Sequence, residues 1–171
     1  IYCTAMIYGQ LKTVPRWNMG VTPILFVLYA LAGGALLSAQ LKFALFALIA
    51  LTVVQIFAWI RGDHSFANAG HTIETATGLG YLGKVRLLES PHSGENYLTR
   101  EMVHIVGRKH AIKLRIIAAL CLGLIPIVLL AGFDVGHMLA LPIIVLHVIG
   151  LFTARWLFFA EAEHVVGLYY D

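Results

Sequence analysis

The sequence predicts an all-α integral membrane protein, an antiparallel bundle of four spanning helices plus the end of a fifth. Three observations lead there. Of 171 residues, 60% are hydrophobic and 12% charged, where a soluble domain carries about 25% charged residues. The apolar residues gather into long uncharged runs close to the ~20 residues that cross a bilayer as a helix. The remaining charge is concentrated: residues 61–115 hold eight of the twelve Lys and Arg, five of the nine Asp and Glu and five of the eight His.

The first full span is placed at residues 21–39, preceded by Trp17 as an interface anchor. Pro23 stands near its start, where a missing N–H does no harm, and Gly33 and Gly34 permit a close neighbour. The second span is 43–60. The turn at Lys42 is so short that the two must form an antiparallel hairpin. Gln55, the one strongly polar side chain in the run, is expected to face protein rather than lipid.

A polar connecting segment, 61–113, follows. Its glycines at 62, 70, 78, 80 and 83 interrupt regular structure. Phe66 to Thr77 reads as a short interfacial helix, and residues 90–96 as a loop. A helix is expected from Thr99, its N-cap, through Arg108, Lys109, Lys113 and Arg115 into the third span at 114–132, kinked at Pro126. After a turn at 133–137 the fourth span, 138–160, carries Pro142 and His147, and its helical pattern continues to the end of the chain. Trp156, Phe158, Phe159, Tyr169 and Tyr170 fit a headgroup-level aromatic belt.

The opening residues resemble the tail of an earlier apolar helix, so the chain is expected to be a single transmembrane domain fragment of a longer protein. Eleven Lys and Arg fall on the side of the polar segment and only Lys42 on the other, which places that segment in the cytoplasm. Cys3 and Cys121, far apart in apolar surroundings, read as small buried hydrophobes. A formal charge of +3 gives no argument for nucleic acid.

Several short motifs have plainer readings beside the chemical ones. Gly78 to Gly83, GLGYLG, matches a dinucleotide fingerprint but lacks the preceding strand, so its glycines are read as permitting a turn or close packing. Glu101/His104 and Glu161/His164 each have the Glu-x-x-His spacing of a di-iron site, with Glu74 and Glu163 as conceivable further ligands. Matches of four residues are common, and surface polar groups account for them. His147 lies deep in an apolar run, but no second helix offers a haem-ligating mate, so it reads as a hydrogen-bonded core histidine.

Protonatable groups also cluster near one interface. His71 and Glu74 stand three apart, and Glu161, Glu163 and His164 follow the last span beside Trp156, Phe158 and Phe159. Oxidising a quinol releases two protons with two electrons. That requires a His or carboxylate within reach of the quinol hydroxyl and an apolar slot for the ring. Glu161 and His164 are therefore candidate proton acceptors, and His71, Glu74, Glu163 and Trp156 candidate quinol-binding residues. An interfacial charge cluster solvated by headgroups is the equally available alternative.

The strings CTAMIYGQLKTVPRWN, LYALAGGALLSAQ, GYLGKVRLLESPHSGENYLTREMVHIVGRKHAIKLR and RWLFFAEAEHVVGLYY resemble the membrane-anchor subunit of DMSO reductase-type molybdoenzymes over essentially the whole chain. The resemblance implies an eight-helix anchor of which this is the C-terminal part, in the bacterial inner membrane. It implies oxidation of menaquinol or ubiquinol, with electrons passed to an iron–sulfur subunit and then to a molybdenum catalytic subunit. Fe–S clusters and molybdopterin would reside in those partners and no cofactor or metal in this chain. The family's quinol-site His and Glu lie in earlier helices, so the resemblance assigns no role to the six residues named above.

Overall fold

The computed structural model describes residues 1–86, 88–89, 109–133 and 137–169. The described elements are helices and turns: α1 Tyr2–Gly9, α2 Val21–Leu37, α3 Leu41–Asp63, α4 Ser65–Ala69, α5 Ile73–Thr77, α6 Ala111–Gly132 and α7 His137–Ala160, with 3-10 turns at Gly80–Leu82 and Val165–Tyr169. Three helices are long and apolar enough to cross a membrane: α3, α6 and the one containing α7. The apolar α2 is shorter, at 17 residues, the lower bound for a span. The expected loop at 90–96, the N-cap Thr99 and the pair Glu101/His104 lie outside the described residues.

α2 stops at Leu37 rather than 39 for a local reason. Ala39 adopts a left-handed backbone (φ 54°). The Gln40 amide then donates to the Ala35 carbonyl (3.0 Å) and the Ala39 amide to Leu36 (3.2 Å). This is the Schellman closure that glycine usually provides, and it lets α3 begin one residue later as an antiparallel partner.

The packing of α3 shows the solvent it was built for. Ala44, Ala47, Leu48, Leu51, Thr52, Gln55, Ala58, Trp59 and Gly62 are buried at helical spacing, while Phe43, Phe46, Val53, Phe57 and Ile60 point outward. The small residues Ala44, Ala47, Ala58 and Gly62 all face the bundle, which suits helices that associate by close packing in lipid. Gln55 is buried, as expected, and accepts a hydrogen bond from the Tyr29 hydroxyl.

α6 is interrupted in a different way from the expected simple kink. Leu120–Leu124 forms a π-turn, with the Ile125 amide donating five residues back to Leu120, immediately before Pro126. A proline ring clashes with the carbonyl four residues earlier, and widening the turn relieves this. α7 lies directly on the widened turn. A Cβ on Gly150 would stand 2.1 Å from the Leu122 nitrogen, and one on Gly123 would stand 1.8 Å from Thr52 Oγ1 on α3. The polar segment folds as two short helices instead of one, because Gly70 turns left-handed between them (φ 63°).

Three placements differ from the expectations. Phe158 packs into a cluster with Tyr8, Trp17 and Phe26, and Trp17 stacks on it at 5.4 Å, so neither serves as a simple belt residue. Cys3 is exposed, because α1 is covered on one side only. α7 ends at Ala160, and the chain continues through an irregular stretch to the last 3-10 turn.

Gly150→Ala is expected to force α6 and α7 apart and lower thermal stability by about 1–3 kcal/mol, the usual range for overpacking. Gly132→Ala, with nothing within 4 Å, should leave the melting temperature of the detergent-solubilised protein nearly unchanged.

Candidate functional site

At the end of the bundle where α3 and α7 finish and α6 begins, four charges close into a ring. Arg115, one turn into α6, grips Asp63 with both ends of its guanidinium (Nη1 to Oδ2 2.7 Å, Nη2 to Oδ1 2.5 Å). Its Nε donates to Glu161 Oε1 at 2.7 Å. Arg16 closes the other side, Nη2 to Glu161 Oε2 at 2.5 Å and Nη1 to Asp63 Oδ1 at 3.1 Å. The Glu161 side chain is 5% exposed, that of Arg16 12% and that of Asp63 41%. Two cations and two anions sum to zero. That is the condition under which charges persist at a membrane boundary with little water.

Local chain geometry explains why Arg16 arrives here. The Trp17 indole donates to the Phe158 carbonyl (2.8 Å), one of the last carbonyls of α7 and so without a helical partner. The Val165 amide donates to Thr13 (2.9 Å), and the Asn18 amide side chain to Gly9 (2.6 Å). The loop before α2 is thus fastened to the end of α7. Gly62 leaves space for the arginine, since a Cβ there would stand 3.0 Å from the Arg16 guanidinium carbon. On the apolar side Arg155 lies against the rings of Phe26 (4.2 Å) and Phe158 (4.5 Å), a favourable setting for a guanidinium out of water.

The ring forms the wall of an open cleft of about 270 Å³, completed by Ser65, Phe66, Ala111 and Glu163. This approaches the size of small-molecule sites, ~300 Å³ and upward. Behind it, sharing Arg16 and Glu161, is a cavity of about 30 Å³ beside Tyr29, Gln55 and Arg155, room for about one water.

Of the six residues singled out from sequence, the cleft gathers Glu161 and Glu163. His164 is exposed, and its Nδ1 accepts from the Val166 amide (2.9 Å). Because α7 has already ended, Glu161 and His164 do not share a helical face. Trp156 is 44% exposed on the outer face of α7. His71 lies against Phe66 (ring centroids 6.4 Å). Glu74 sits in α5, held below the usual carboxylate range first by its own backbone N–H and then by the Thr72 hydroxyl. The segment bearing His71 and Glu74 does meet the chain end: Tyr169 donates to the Ala76 carbonyl (2.7 Å). Gly80 lets the turn pack on the Glu74 Cβ, at 3.0 Å from an added Cβ, the close-packing role expected of that glycine string.

Sequence reasoning misses Arg16, Asp63 and Arg115. From sequence, Arg115 is one charge of a basic helix start; in the structure it faces Asp63 and Glu161. The available signal is that each is a charge at the edge of an apolar run, where an unpaired ion is costly. Among the described residues no three His, Cys, Asp or Glu side chains converge as a metal site would need. His147 is buried, its Nδ1 bonded to the Leu122 carbonyl (2.7 Å) and its Nε2 directed at Gly33.

A helical bundle with charges drawn into a neutral ring at one end, large apolar residues facing outward and three helices long enough to cross a bilayer marks a multi-pass membrane protein. The chain belongs to the DMSO reductase anchor subunit (DmsC) family, whose model matches residues 1–160. It is 30% identical over 186 aligned positions to a subunit of the sulfite dehydrogenase of Allochromatium vinosum, covering 99% of this chain and 56% of that relative. The chain therefore spans just over half the length of the curated relative it matches. No solved structure matches it.

Breaking the ring should be costly because it strands a charge. Glu161→Ala leaves Arg16 and Arg115 facing each other, and a loss of about 3–5 kcal/mol is expected in detergent unfolding. Asp63→Ala, at the exposed side of the ring, should cost about 1–2 kcal/mol after allowance for solvent screening.

Proposed function

We propose that this chain is part of the membrane anchor of a DMSO reductase-type complex and that the anchor oxidises membrane quinol. The electrons would pass to an iron–sulfur subunit and from there to a molybdenum catalytic subunit. The observation that carries the reading is the cleft against the charge ring, in a chain whose family is that of anchors. Menaquinol or ubiquinol would enter from the bilayer, with Phe66 beside the ring and the carboxylates of Glu161 and Glu163 within the same cleft. On this reading Glu161 and His164 take the protons. Glu163 lies at the cleft, with His71, Glu74 and Trp156 outside its lining as the more distant quinol contacts. Arg16 and Arg115 each bond one oxygen of Glu161 and hold the carboxylate in place at the wall of the cleft.

The same reading makes α2 a fourth span beside α3, α6 and α7, with α1 the end of a fifth, in one multi-pass domain of the bacterial inner membrane. The positive-inside count orients the polar segment to the cytoplasm. Fe–S clusters and molybdopterin belong to the partner subunits, membrane lipid surrounds the bundle, and nucleic acid has no part.

The similarity to a sulfite dehydrogenase component favours a second reading of direction. A dehydrogenase withdraws electrons from its substrate, so the anchor would reduce quinone and the same carboxylates would deliver protons.

The double substitution Glu161→Gln, His164→Ala is expected to lower quinol-driven turnover of the assembled complex by about 100-fold, the lower range for loss of a positioned acid–base group. Turnover with a soluble artificial donor should be unchanged. Unaltered quinol turnover in complex that is folded by thermal melting would remove both residues from the proton path. Turnover only in the direction of quinone reduction would select the second reading.

A further inference from the structure

We propose that His147 is a positioning residue for the charge ring: it replaces the N–H that Pro126 lacks and thereby holds the π-turn that aims Arg115. The inference rests on the preceding reading only in giving the ring a role in quinol chemistry. The geometry is independent of it.

In a regular helix the Leu122 carbonyl would accept from the amide of residue 126. Residue 126 is proline and has no N–H. A buried carbonyl deprived of its partner costs on the order of 1–3 kcal/mol. His147 Nδ1 stands 2.7 Å from that oxygen, reaching across from α7. A carbonyl only accepts, so Nδ1 carries the proton and Nε2 carries the lone pair. Nε2 is buried with no hydrogen-bond partner among the described residues, and the position of a Cβ on Gly33 of α2 lies 3.6 Å away. The imidazole gives up one polar contact to secure the other. Gly150 makes the reach possible by bringing the α7 backbone against Leu122 and Cys121.

The turn so held sits between Arg115 and the C-terminal half of α6. A π-turn absorbs one extra residue without disturbing the register on either side. Pro126 opens the turn, but with the Leu122 carbonyl unpartnered its width is no longer fixed, and any shift toward α geometry rotates everything before it, by at most about 100°, one residue's share of a 3.6-residue turn. Arg115, five residues before the turn, would swing away from Asp63 and Glu161. A histidine deep in the bundle thus governs a charge at its end.

The experiment uses the assembled complex with Cys3 and Cys121 of this chain replaced by serine, the partner subunits' cysteines kept, and Arg61→Cys and Lys113→Cys carrying spin labels. Both positions are exposed and neither belongs to the ring. An Asn amide nitrogen sits near the position of imidazole Nδ1 and a Gln amide nitrogen near Nε2. H147N should therefore keep the native label distance and quinol KM. H147Q and H147A should shift the distance, by up to roughly 8 Å for a full rotation at a side-chain radius of about 5 Å, and raise KM several-fold. In Pro126→Ala the restored amide serves Leu122, so a further H147A should leave whatever distance that variant shows unaltered. Nitrogen NMR of His147 should report the proton on Nδ1. H147Q matching H147N, or an undiminished effect of H147A in the Pro126→Ala background, would overturn the proposal. Distances that move as stated while quinol turnover stays constant would support it and remove the ring from quinol chemistry.

Discussion

Four charges that cannot be left alone organise this molecule. Arg16, Asp63, Arg115 and Glu161 come from the loop before α2, the end of α3, the start of α6 and the end of α7. At a boundary with little water each would be costly unpaired, and together they cancel. The ring therefore ties four distant points of the chain at one end of the bundle. It also sets the wall of the cleft, and it makes Glu161 a structural link as well as the proposed proton acceptor. Substitution of that residue changes two things at once, so activity has to be read together with folding.

Below the ring, the bundle is held by closeness rather than by hydrophobicity, since lipid tails are as apolar as leucine. Gly150 lets α7 meet the α6 backbone directly, and Gly123 and Gly33 make room for the Thr52 and His147 side chains of neighbouring helices. Close contact of this kind transmits position. The π-turn before Pro126 changes the phase of α6, and the phase decides whether Arg115 meets its partners. The interior and the charged end are thus two parts of one constraint.

Membership of the anchor family gives the cleft its setting, and the proposed quinol chemistry there has two possible directions, one of them suggested by the sulfite dehydrogenase relative. Proton uptake and release by a carboxylate are the same step run in opposite senses. On the proposed reading, the one cleft that holds Glu161, Glu163, Arg16 and Arg115 would serve either direction.

The sequence by itself determined the all-helical membrane class, the approximate apolar helices, the inward-facing Gln55 and the core position of His147. These follow from local composition and from the rule that a polar group in an apolar run must find protein. It also pointed to Glu161 and Glu163, because acidic residues after a long apolar run stand out. Only the tertiary structure decided that Arg16, Asp63 and Arg115 surround Glu161. Pairing across separations of 46 to 145 residues depends on helix phase and loop closure, and neither can be read from spacing along one helix. The π-turn was hidden for a related reason. Pro126 announces a disturbed helix, but whether the helix bends or widens depends on what stands opposite, and here a histidine 25 residues away supplies the missing hydrogen bond.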